Sequence, residues 1–80
     1  MKKTIIAISC RDGRVFAVGE RYVLENGCII GDVTSIDKEC VAKNTLVGQK
    51  LKLVGYIVEF GSVGIVRITK NSVEHIVYTK

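Results

Sequence analysis

Short apolar runs rich in valine and isoleucine alternate with clusters of glycine, asparagine, aspartate and serine along the chain. β-Branched side chains lose rotamer freedom in a helix but pack well on a pleated, half-buried surface, so these runs read as strands. The punctuation agrees. Asp12-Gly13, Asn26-Gly27, Gly61-Ser62 and Asn71-Ser72 each separate two apolar runs. Asp-Gly and Asn-Gly suit the positive backbone angles of tight hairpin turns, and Gly-Ser suits the related turn with glycine first. The pattern predicts strands over Lys3–Cys10, Arg14–Val18, Arg21–Glu25, Cys28–Ile36, Lys50–Phe60, Val63–Lys70 and Val73–Thr79. Asp37–Thr45 is the exception: its Asp-Lys-Glu-Cys-Val-Ala-Lys pattern allows one or two helical turns capped by Asp37.

Two-residue turns fix which side chains face one another. In the second hairpin Arg21 meets Asp32 as an opposite-charge pair, Tyr22 covers Gly31, Val23 meets Ile30 and Leu24 meets Ile29. In the first, Arg11 falls opposite Arg14, a like-charge pairing that costs up to about 1 kcal/mol. Asp12 is the local compensation; a phosphate or an acidic patch on a partner is the external one, with Phe16 nearby for stacking. The third hairpin pairs Phe60 with Val63, Val58 with Ile65 and Tyr56 with Arg67, placing a cation over a ring. The fourth puts His75 opposite Ile68.

Leu51, Leu53, Gly55, Ile57, Val66, Ile68, Val73, His75 and Val77 then share the core face. The opposite face mixes basic groups (Lys50, Lys52, Arg67) with Tyr56, Val58, Phe60, Val63, Ile65, Ile76 and Tyr78. A solvated sheet face alternates more cleanly toward polar residues. Either the strands curl and take the Val58, Phe60, Val63 and Ile65 end inside a closed barrel, or the face is an interface.

With 80 residues, 48% of them hydrophobic, the chain has material for one core and one domain, residues 1–80. That apolar content excludes disorder, and the absence of proline excludes rigid polyproline stalks. The expected class is all-β, a small antiparallel barrel or sandwich of about six to seven short strands, with at most one short helix near 37–45. In short strands and tight turns it resembles SH3-like and OB-like folds, an architectural likeness that implies binding and selects no ligand. The start, Met1 to Cys10, imitates a lipoprotein signal, but its apolar run ends at Ser9 before Arg11-Asp12, short of a secretory core of about 7 to 15 residues. A cytoplasmic protein without membrane association is expected, with Cys10, Cys28 and Cys40 as reduced thiols.

No recognisable catalytic context surrounds any cysteine or His75, the sole histidine, and the glycines spell no phosphate-binding loop. The reading is a non-enzymatic module without metal or cofactor. Its partner is expected to be a protein or a second copy, bound through Tyr56, Phe60, Arg67, Ile76 and Tyr78. The alternative is nucleic-acid binding through Arg11, Arg14, Lys50, Lys52 and Arg67. A net charge of +4 is modest for that role, since charge of this size also serves solubility.

Overall fold

The computed structural model describes residues 3–23 and 26–79. Among them, eight strands and one 3₁₀ turn form an all-β architecture. The strands are β1 (Ile5–Cys10), β2 (Val15–Ala17), β3 (Arg21–Val23), β4 (Ile29–Asp32), β5 (Ser35–Thr45), β6 (Gly48–Glu59), β7 (Ile65–Thr69) and β8 (Val73–Tyr78), with the turn at Lys70–Ser72. They make three antiparallel sheets, ordered β2-β1-β8, β3-β4 and β5-β6-β7. Backbone bonds continue through the corners: Val18 N–H donates to Ile6, Gly19 N–H to Val33, and Val33 N–H to Glu20.

The core gathers Ile5, Ile8, Cys10, Phe16, Val33, Ile36, Tyr56, Val58, Phe60 and Ile68. Its aromatic centre stacks Phe16 on Tyr22 at 4.4 Å between centroids, with Phe60 edge-on to Phe16 at 6.2 Å. Tyr22 pairs with Gly31 and Arg21 with Asp32, as the Asn26-Gly27 turn predicts. A bulge follows, so Val23 meets Ile29 instead of Ile30, and the expected Leu24 pairing lies outside the described residues.

Several expectations are corrected. The segment 37–45 is strand, not helix: β5 runs through it and pairs with β6 as far as Thr45↔Gly48. A helix of two turns gains too few hydrogen bonds to offset its nucleation, whereas the long neighbouring strand supplies a partner along the whole segment. Asn71-Ser72 does not turn a hairpin. It sits in the 3₁₀ corner that carries the chain from β7 to β8 in another sheet, where His75 pairs with Ser9 and is exposed.

Both glycine hairpins flanking the core also use three-residue connections. Cys10 N–H donates to Arg14 at 2.8 Å and Gly13 N–H to Cys10 at 3.1 Å; Phe60 N–H donates to Gly64 at 2.9 Å and Val63 N–H to Phe60 at 3.2 Å. Gly13 takes the left-handed conformation, φ 96°, that closes such a loop. One added residue shifts the register by one and transfers side chains to the other face. Arg11 therefore does not oppose Arg14, and Tyr56 meets Ile68, not Arg67.

A second irregularity lies within β6. Glu39 pairs with Gly55 and Cys40 with Leu53, leaving Val54 as the extra residue of a β-bulge. Strict alternation would keep Lys50, Lys52, Tyr56, Val58 and Phe60 on one side. The bulge inverts the phase, so Tyr56, Val58 and Phe60 turn inward while Lys50 and Lys52 stay outside. Gly55 permits the close approach of β7 there, since a Cβ at this position would stand 2.1 Å from the Ile68 carbonyl oxygen.

Candidate interaction site

Beyond the bulge, β5 and β6 leave the body of the protein as a two-stranded arm, residues 40–53. β7 covers β6 only from Gly55 to Glu59, so among the described residues the arm has no third strand. The molecule is correspondingly elongated, 50 × 28 × 26 Å, with a radius of gyration of 14.2 Å against about 11.6 Å for a compact chain of this length.

Opposed residues of an antiparallel pair share a face, which sorts the arm into two sides. One continues the core face outward through the pairs Cys40/Leu53, Ala42/Leu51 and Asn44/Gln49; Leu51 is 77% exposed there. The other carries Val41/Lys52 and Lys43/Lys50. At the tip, Leu46 is fully exposed and Val47 is 88% exposed, and Thr45 Oγ1–H donates to the Gly48 carbonyl at 2.7 Å. Neither tip residue has positive φ, so the turn is not one of the primed types whose twist matches paired strands.

The arm holds Lys43, Lys50 and Lys52 and no acidic residue, and so carries three of the four net positive charges of the chain. Lys43 stands directly opposite Lys50. Elsewhere the arginines are matched. Arg14 pairs with Asp12 at 2.8 Å, Arg21 with Asp32 at 3.5 Å and Arg67 with Glu39 at 3.4 Å. Arg11 Nε–H donates to the Asn71 carbonyl at 3.0 Å. Asp12 also accepts the Arg14 backbone N–H, and that bond, with the adjacent guanidinium, holds its carboxyl below the usual range.

The five residues expected to form a docking face do not share one exposed surface. Tyr56 and Phe60 are 6% and 3% exposed in the core, Ile76 packs against that core half-buried, Tyr78 is exposed on β8, and Arg67 is held by Glu39. Burial pushes the Tyr56 hydroxyl above its ordinary value, with Tyr78 and Cys40 adding to the effect. Neither Tyr56 nor Phe60 is therefore on the surface of the chain. Of the basic set, Lys50 and Lys52 stand together on the arm, Arg67 lies nearer the body, and Arg11 and Arg14 occupy the distant first hairpin. Lys43 stands opposite Lys50 on the same face, in a segment whose sequence pattern reads as helical.

Open clefts mark the body. One, about 440 Å³, is lined by Lys3, Thr4, Ile5, Ile36, Asp37, Lys38 and Tyr78; another, about 390 Å³, lies between the first hairpin and β3 and includes Arg14, Arg21 and Tyr22. Among the described residues, no group of three or more His, Cys, Asp or Glu side chains converges as metal ligands would, and no helix is long and apolar enough to cross a membrane. No protein-family model, curated protein or solved structure matches the chain.

Proposed function

We propose that the chain is a non-enzymatic interaction module: a small β-barrel-like body that presents the 40–53 arm to a second copy of itself. The observation carrying this reading is the tip, where two aliphatic residues occupy a position that turn chemistry assigns to asparagine and glycine. Departures from local preference of this kind are expected where a surface has a use.

Packing supports the same reading. A two-stranded ribbon with one bare apolar side is marginal in water until something covers it. The surface of 6020 Å² exceeds the roughly 4,800 Å² expected for a compact chain of this mass. That excess exceeds the approximately 800 Å² per partner of an ordinary interface. Apolar side against apolar side, two arms would cover Leu51, Leu46 and Val47 and leave both lysine faces outward, away from each other.

Sedimentation of the purified chain tests this. The parent is expected to dimerise, and a variant carrying Leu46→Asn, Val47→Gly and Leu51→Thr to run as a folded monomer with an undiminished Tm. A monomeric parent, or a variant that dimerises as the parent does, would remove the proposal.

A further inference from the structure

The opposite side of the same ribbon carries a separate signal. Lys43 and Lys50 are direct cross-strand partners with Lys52 one step further along that face, and residues 40–53 contain no carboxylate to offset them. Like charges placed so are mutually destabilising. At the first hairpin an internal aspartate resolves the local positive charge; on the arm nothing within the ribbon does. Glu39, the carboxylate that precedes Val41 on this face, is engaged by Arg67, and an anion from outside would relieve the repulsion.

We infer that Lys43, Lys50 and Lys52 hold the phosphate backbone of double-stranded DNA. A two-stranded ribbon is an element that the major groove admits, and closely placed lysines contact phosphates without reading sequence. Single strands are recognised largely by aromatic stacking, and the arm contains no aromatic residue. A lipid surface fits less well, since the amide pair Asn44/Gln49 interrupts the apolar side and would enter hydrocarbon unsatisfied. The inference rests on the lysine face alone and stands whether or not the apolar side dimerises.

The test is equilibrium binding of the full chain to a short mixed-sequence DNA duplex, titrated between about 50 and 200 mM salt. Three phosphate contacts per arm give a slope of log affinity against log salt near −2.7 per chain. Lys43→Gln with Lys50→Gln should reduce that slope to about −0.9 and weaken binding roughly tenfold or more. The same variant should keep or raise its Tm, because a repulsive pair has gone. Leu51→Thr should retain the parent's per-chain slope, which separates this result from failure of the dimer. Absence of duplex binding at the lowest salt, an unchanged slope in the double-glutamine variant, or stronger binding to single-stranded DNA or phosphatidylserine-containing vesicles would each overturn the inference.

Discussion

Gly55 stands where the alternation of β6 changes phase and where β7 lies against its bare backbone. An added methyl would overlap the Ile68 carbonyl oxygen, which is backbone and has nowhere to rotate. Gly55→Ala should cost about 1–3 kcal/mol, read as a lower urea midpoint with an unchanged m value. Burial matters in a different way at Cys10. Loss of solvation lifts its thiol above the ordinary value near 9.0, outweighing the nearby Arg14, and burial lifts Tyr56 above 10.0. A raised value means that the stabilising contribution is complete below the ordinary value and is lost as pH rises toward the folded one. Urea midpoints should therefore fall above about pH 9, and Cys10→Ala, though less stable at neutral pH, should show a shallower alkaline decline. At this scale the sequence was legible where turn chemistry set the register, as with Tyr22 opposite Gly31. It was illegible at Gly55, whose requirement comes from a strand ten residues further along.

The strands themselves were largely visible, because valine and isoleucine runs between turn residues leave few alternatives. Their phase was not. A two-residue and a three-residue connection both accept Asp-Gly or Gly-Ser at the reversal, yet they send every following side chain to opposite faces. The bulge at Val54 compounds this, and together the two irregularities put Tyr56 and Phe60 inside and Lys50 outside. The arm is hidden in the sequence for a related reason: Leu46-Val47 carries no turn signal, so nothing punctuates the long β5–β6 hairpin. Supplying that signal gives a direct test. Leu46→Asn with Val47→Gly should stabilise the isolated chain by about 0.5–2 kcal/mol in urea unfolding, since a favourable turn replaces an unfavourable one and little buried contact is lost.

Across the whole molecule, the core and the arm are energetically distinct. Among the described residues, the ten buried hydrophobic side chains all lie outside 40–53, and the arm's inner residues contribute at its base through Leu53. A chain in which Asn-Gly joins Cys40 directly to Leu53 should keep its near-ultraviolet aromatic signature and cooperative melt while its Stokes radius contracts; loss of the cooperative melt would show that the arm is needed to hold the body together. Composition and β-branched content made the all-β class legible from the outset. The candidate site was legible only as ingredients, basic and aliphatic residues in the right number, because their division between two sides of a ribbon depends on pairing partners that sequence spacing did not reveal.

A ribbon bare on both sides also sets a gradient of opening. Its cross-strand amides are guarded by neither a third strand nor overlying side chains, so they should exchange deuterium far sooner than those of Tyr56 and Val58 only a few residues away. Trypsin should find Lys43, Lys50 and Lys52 before the lysines and arginines of the body, and cleavage there should slow when the arm is occupied. The fragment pattern of a brief digestion would thus map, residue by residue, which flank of the hairpin a bound molecule shields.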